Sequence, residues 1–167
     1  MKPTKILSDL KGNPRPKKRA LAYLLRELKN AHRIYLIGNG GSSTICSHIA
    51  VDYCKFLHIR AHPLTDPAML SCAANDFGWQ KSFMMQLHWY ANKGDALIAI
   101  SSSGASPNIL EAVRWASSYD MFVATFSAFK PDNPLRALGH VNFYVNTDKY
   151  RVAEITHLAI LHELADV

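Results

Sequence analysis

Apolar positions fall into two patterns along this chain. Residues 34–37, 96–100 and 121–126 are short runs with almost no polar interruption, as expected of strands buried on both faces. Residues 59–63 and 141–145 read as two further strands. Between them apolar residues recur at helical spacing. Leu21, Leu24, Leu25 and Leu28 predict a helix over 17–30, whose apolar stripe is expected to be covered by another subunit, and Ile45, Ile49 and Tyr53 one that runs to about Phe56. Phe83, Met84, Leu87 and Tyr90 predict a helix over 79–92; Val152, Ile155, Leu158, Ala159 and Leu161 predict a closing helix over 151–164. Pro67, after Thr65-Asp66, marks a helix start. That helix is expected to reach about Ala74, where Asn75-Asp76-Phe77-Gly78 interrupts it. Pro107 starts another, to about Ser118, and Pro131 and Pro134 mark a loop with a short helical turn. Residues 1–16 hold Pro3, Gly12, Pro14 and Pro16 and read as irregular. Strand alternating with helix over short links predicts an α/β domain, a parallel sheet covered on both sides.

Composition narrows the class. The 167 residues suit one domain with one core. With 49% hydrophobic and 19% charged residues the chain is globular, not disordered. Its longest apolar runs are too short to span a bilayer, and the N-terminus has no apolar segment of the signal-peptide kind. Cys46, Cys54 and Cys72 are an odd number with no C-x-x-C pair, so they read as reduced core thiols. Together these features predict a cytoplasmic protein. The net charge of +6 is partly local, from Lys11, Arg15, Lys17, Lys18 and Arg19. That segment could be a nucleic-acid arm, but it lacks interleaved aromatics for base stacking and reads better as a solvated helix start. A basic protein also suits an anionic substrate.

Two loops carry the candidate chemistry. The first, Gly38-Asn39-Gly40-Gly41-Ser42-Ser43, joins a strand to a helix, where doubly wound folds place ligands. Its glycines allow close backbone approach, and Ser42 and Ser43 are expected to cap the helix. On that helix His48 and Asp52 are spaced i, i+4 and share a face. The second loop, Ser101-Ser102-Ser103-Gly104-Ala105-Ser106, follows a buried strand and precedes the helix at Pro107. Hydroxyls, free N–H groups and a helix N-terminus converge there, as a phosphate requires. Neither loop has the P-loop lysine or the full G-x-G-x-x-G spacing, which excludes the common nucleotide motifs.

In order and in spacing, these residues resemble a known family. GNGGS at 38–42, His48 with an acid at Asp52, ANDFG at 74–78 and GDALIAISSSGAS at 94–106 resemble the sugar isomerase (SIS) domain, most of all its phosphoheptose isomerase branch. The likeness runs from Ile34 to Leu164. It implies a single SIS domain over 1–167, with residues 1–32 a basic segment and helix. The implied fold is a three-layer αβα sandwich, flavodoxin- or Rossmann-like, with a five-stranded parallel sheet. The implied activity converts sedoheptulose 7-phosphate to D-glycero-D-manno-heptose 7-phosphate through an enediol, in a homotetramer with sites shared between subunits. Two other readings are a non-catalytic SIS module that senses a sugar phosphate, and one that binds a protein such as the replication initiator.

The resemblance also implies roles. Ser101, Ser102, Ser103 and Ser106 would hold the phosphate; Asn39, Gly40, Gly41, Ser42, Asn75 and Asp76 would line the sugar. The family's catalytic glutamate falls on Asp52 and its catalytic histidine on His162. A histidine at the position of His48 binds zinc in this family, together with those two residues and a glutamine that falls on Glu154. Asp52 is one methylene shorter than the family residue, and Glu154 is charged where the family has an amide. Two nearby carboxylates repel each other, and a cation relieves the repulsion. His48, Asp52, Glu154 and His162 are therefore expected to bind a divalent metal, zinc, with Glu154 also touching substrate. Asp52 is expected as base and His162 as acid. His157 lies between the last two on the same helix and is expected to be structural, although its place i+3 from Glu154 also makes it the alternative to His162.

Overall fold

The apolar runs form one sheet. The computed structural model describes residues 17–165. Strands β1 (Ile34–Gly38), β2 (Ala61–Pro63), β3 (Ala96–Ser101), β4 (Phe122–Ala128) and β5 (Val141–Val145) pair side by side in the order β2-β1-β3-β4-β5, all parallel. Successive side chains alternate between the faces. Ile34, Leu36, Ala96, Ile98, Ile100, Ala124 and Phe126 enter one core; Tyr35, Ile37, Leu97, Ala99 and Val123 enter the other. Every residue of β1 and β3 is buried, which is why these runs carry no polar alternation.

Helices cover both faces. Helices α1 (Lys18–Asn30), α2 (Gly41–Phe56) and α6 (Tyr150–Ala165) pack on the first core. Helices α3 (Pro67–Phe77), α4 (Ser82–Tyr90) and α5 (Pro107–Ser118) lie on the second. Short 3₁₀ turns occupy Trp79–Lys81 and Pro134–Ala137. The expected three-layer αβα sandwich is the observed fold. Asp66 accepts from the Met69 N–H at 2.9 Å and caps α3, with Pro67 in its first turn.

Four expectations change. Helix α3 does not stop at Ala74: Asn75, Asp76 and Phe77 remain helical, and the stop is Gly78, whose N–H bonds to the Ala74 carbonyl. Strand β4 outlasts residue 126, because Ser127 and Ala128 still pair with Tyr144 and Val145 of β5. The leucine stripe of α1 needs no partner molecule, since Leu24 and Leu28 are fully buried in the chain's own core. Of the cysteines only Cys46 is a core thiol; Cys54 and Cys72 are exposed. Lys17, Lys18 and Arg19 are exposed at the start of α1, whereas Lys11, Arg15 and the irregular stretch 1–16 lie outside the described residues.

One buried polar contact fixes the helix that bears two of the expected site residues. His157 on α6 is fully buried, and its Nε2–H donates to the Ser127 carbonyl of β4 at 3.2 Å. Burial pushes its pKa down to about 4, partly opposed by the Ser127 carbonyl, which favours the protonated ring. An unfolded histidine titrates near 6.5. The unfolded chain therefore takes up a proton between pH 6.5 and 4 that the native state refuses. The stability from neutral His157 is complete above pH 6.5 and is lost as pH falls toward about 4. By pH 5 the loss should be about 2 kcal/mol. Urea unfolding of the parent and of His157→Gln at pH 7.5 and pH 5 checks this. The parent should lose about 2 kcal/mol more than the variant on acidification; equal losses would rule the assignment out.

Candidate functional site

The strand order places a crevice between β1 and β3. The chain leaves β1 for α2 on one face and leaves β3 for α5 on the other, so the two loops part above the sheet. One reciprocal amide pair joins them across the gap. Asn39 Nδ2 donates to Asn108 Oδ1 and Asn108 Nδ2 donates to Asn39 Oδ1, both at 2.9 Å. Gly40 is the N-cap of α2, and no side chain caps that helix. Ser42 and Ser43 lie inside its first turn instead, where their N–H groups bond to the carbonyls of Asn39 and Gly40. Gly40 takes φ +55°, a conformation other residues avoid, with nothing near its missing side chain.

Above β3 the serines form a small pocket of about 120 Å³, lined by Ser101, Ser102, Ser103, Ser106, Asn39, Ser42, Tyr150 and Glu154, with Ile100 at its base. Ser101 Oγ is central, 3.1 Å from Ser106 Oγ and 3.4 Å from Ser103 Oγ. Ser102 Oγ is buried and has no hydrogen-bond partner among the described residues. A buried orphan hydroxyl is unfavourable by about 1–3 kcal/mol, so this one points to a bound ligand. The loop is clamped from below: the Ala128 N–H bonds to Ser102 O and the Leu135 N–H to Gly104 O, each at 2.9 Å. Gly104 takes φ +63°, and a Cβ there would run into the Asn133 side chain. Asn133 is itself held, donating to Ala128 O and Lys130 O and accepting from the Arg136 N–H.

A second cluster lies further along α2 and α6, which touch through Tyr53 Oη donating to the Leu161 carbonyl at 3.2 Å. His48 Nε2 is 3.7 Å and His162 Nδ1 is 3.1 Å from Asp52 Oδ2. The two imidazole rings meet edge to face, 5.1 Å between centroids. Asp52 is the most enclosed of the three, its side chain 17% exposed against 38% for His162 and 56% for His48. One ligand atom from each lies within 4.8 Å of the others, close enough for a single ion to touch all three.

Glu154 does not join them. Its carboxylate rests against Gly41, where a Cβ would collide with it, and faces the serine pocket. The reason is position: eight residues of helix separate it from His162, about 12 Å along the axis. Of the expected sugar-lining residues, Asn39 and Ser42 line the pocket and Gly41 meets Glu154. Asn75 and Asp76 are exposed on the last turn of α3, bonded to each other at 2.8 Å, and do not line it. Asn108, Asn133 and Tyr150 were not foreseen. An asparagine directly after the helix-starting Pro107 was the one available signal, and it marked Asn108.

The site thus defines an α/β domain that presents a phosphate-sized serine pocket at its topological switch point. The SIS domain profile matches residues 4–128, and the chain belongs to the SIS domain family. A phosphoheptose isomerase of Cytophaga hutchinsonii is 37% identical over 153 residues, 87% of this chain and 79% of that protein. One from Helicobacter hepaticus is 32% identical over 156 residues, covering 89% and 79%. The solved structure of a phosphoheptose isomerase from Neisseria gonorrhoeae superposes with a TM-score of 0.82 at 25% identity, covering 89% of this chain and 85% of that one. The Vibrio vulnificus NanR protein, solved with ManNAc-6P, shares the fold alone: TM-score 0.73, 18% identity, 96% of this chain and 56% of that one.

The two left-handed glycines separate conformation from collision. Gly40→Ala should lower stability by about 1 kcal/mol, the backbone effect alone. Gly104→Ala adds overlap with the fixed Asn133 and should lower it by at least about 2 kcal/mol more. Denaturant unfolding of the two variants measures the difference, and equal effects would mean that the Asn133 clamp yields freely.

Proposed function

We propose that this protein is an aldose–ketose isomerase of a sugar phosphate, interconverting sedoheptulose 7-phosphate and D-glycero-D-manno-heptose 7-phosphate. The supporting observation is a serine pocket without a cation at one end of the α2–α6 pair and an acid–imidazole pair 3.1 Å apart further along it. The phosphoheptose isomerases among its relatives point the same way. The spacing also fits a long substrate. An extended seven-carbon phosphate, with C–C bonds of about 1.5 Å, reaches roughly 10 Å from phosphorus to its first carbon. Eight residues of helix, from Glu154 beside the pocket to His162, rise about 12 Å.

In this reading the serine hydroxyls and the start of α5 hold the phosphate. The Glu154 carboxylate accepts hydroxyl groups of the sugar beside it, and Asn39 and Ser42 orient the chain. Asp52 removes the proton from the carbon next to the carbonyl, and His162 delivers a proton to the oxygen as the cis-enediol forms. The proton returns to the neighbouring carbon by the reverse exchange. Two imidazoles and a carboxylate are ordinary zinc ligands, so His48, Asp52 and His162 fit a divalent ion, which when bound would polarise the sugar carbonyl. A module that only senses a sugar phosphate, or only docks a partner, has no chemical need for the Asp52–His162 pair.

Val51 and Phe56 on α2 and Ile155 on α6 are 61%, 56% and 41% exposed, apolar side chains suited to burial by further copies in a homotetramer. No helix among the described residues is long and apolar enough to cross a membrane, and three free thiols suit the reducing cytoplasm. Turnover of sedoheptulose 7-phosphate by Asp52→Asn should fall roughly 10²–10⁴-fold. Ser101→Ala should weaken binding of the phosphorylated sugar about tenfold. Undiminished turnover in Asp52→Asn, or equal affinity of the parent for phosphorylated and unphosphorylated heptose, defeats the proposal. Light scattering should give a tetramer for the parent and a smaller species for Val51→Asp with Ile155→Asp; a monomeric parent contradicts the assembly.

A further inference from the structure

A second pocket, of about 530 Å³, opens at the other end of the strands, against the β2 edge of the sheet. Its position follows from register. Ile34 pairs with Ala61 and Tyr35 with His62, so Arg33 stands beside Arg60 one residue before each strand. Paired residues of parallel strands point the same way, and so do residues two apart. Arg33, Tyr35, Arg60 and His62 therefore share one face of the sheet, at its edge, and all four line the pocket together with Tyr90. The Tyr35 hydroxyl donates to the Tyr90 carbonyl at 2.8 Å, and the His62 ring stands edge-on to both tyrosines, 6.2 and 6.0 Å between centroids.

The pocket is unbalanced in charge. Like charges directly opposite on neighbouring strands are destabilising, and among the described residues neither guanidinium is in an ion pair. The acid next to Arg33 in the β1–β3 register is Asp95. Asp95 is buried, and its Oδ2 is taken by the Asn92 N–H at 2.7 Å. Burial pushes the Tyr35 hydroxyl's pKa up while the Arg33 guanidinium pulls it down and Asp95 raises it, which places both charges around that ring. Two arginines and a histidine thus face one engaged carboxylate. The serine loop begins six residues away along β3, from Asp95 level with Arg33 to Ser101, about 20 Å, so one small ligand does not reach both.

We propose that this pocket is a second anion site, separate from the serine loop, that takes an organic phosphate carrying a planar ring. The phosphate lies between Arg33 and Arg60, whose forked donors match its oxygens. The ring lies over the exposed faces of His62 and Tyr90. A bound anion converts the Arg33–Arg60 repulsion into two attractions, which gives the paired arginines a purpose that the fold alone does not.

The test uses the full chain with ADP as probe. Calorimetric titration should show ADP binding that survives Ser101→Ala with Ser103→Ala and falls at least tenfold in Arg33→Gln with Arg60→Gln. ADP should raise the melting temperature of the parent and not that of the arginine variant. Without ligand, Arg33→Gln with Arg60→Gln should melt no lower than the parent, because it removes a like-charge pair, and this shows that the double variant folds. Loss of ADP binding in the serine variant would assign the anion to the serine loop and overturn the proposal. So would full ADP affinity in the arginine variant, or no saturable ADP binding by the parent. These readouts do not depend on isomerase activity, so they stand apart from the catalytic reading.

Discussion

The site depends on β1 and β3 lying side by side while the chain leaves them toward opposite faces of the sheet. That divergence opens a crevice which no side chain from the sheet can fill, because both strands end there. The Asn39–Asn108 amide pair bridges it with two hydrogen bonds of 2.9 Å. Each amide satisfies the other, so the loops are tied without drawing on a serine hydroxyl. Helices α2 and α5 both begin at this point, and their positive ends add to the attraction for an anion. The small residues of both loops follow from the same constraint: backbone and hydroxyls must come close to a ligand from two sides at once.

Much of the architecture was legible because parallel sheets declare themselves. Residues 96–100 could only be a strand buried on both faces, and Pro107 placed the following helix start where the structure has it. The i, i+4 spacing of His48 and Asp52 was equally direct, since both lie on one regular helix. What depended on chains meeting in space was not legible. The covering of Leu24 and Leu28 by the sheet, the clamp of Asn133 under Gly104 and the reach of Tyr150 to the pocket all join segments far apart in sequence. Helix ends were misjudged for a related reason. Asn75 and Asp76 favour turns locally, yet α3 has further contacts with the neighbouring α4 and carries on to Gly78.

Charge illustrates the same limit from another side. A net charge of +6 suggested an anionic substrate, but no lysine, arginine or histidine lines the serine pocket. There a phosphate would be held by hydroxyls, N–H groups and helix ends alone. Such a pocket favours shape and donor placement over net attraction, and the Glu154 carboxylate beside it sharpens the choice by repelling anions that sit out of place. Two clusters of cations lie elsewhere, at the start of α1 and around Arg33 and Arg60. A total charge therefore says little about a particular pocket; the register of β1 against β2, which sets two arginines shoulder to shoulder, says a good deal more.

The separation of Glu154 from Asp52 decides how this chain departs from a four-ligand metal shell. Had the two carboxylates faced each other, a cation would have been needed to hold them together, and the metal would have been structural. Instead α6 carries Glu154 to the serine-pocket end and His162 to the Asp52 end, two turns apart on one rigid rod. Each then has its own partner: Gly41 and the pocket for one, Asp52 and His48 for the other. The rod is set by His157, which lies between them and is anchored to β4 through Ser127. Its carbonyl partner comes from the strand that also pairs with the serine-bearing end of β3, Ser127 opposite Ser101. Serine pocket and acid–imidazole pair are therefore referred to the same strand, which fixes the distance between them. Asp52, one methylene shorter than a glutamate, still meets His162 at 3.1 Å in this frame.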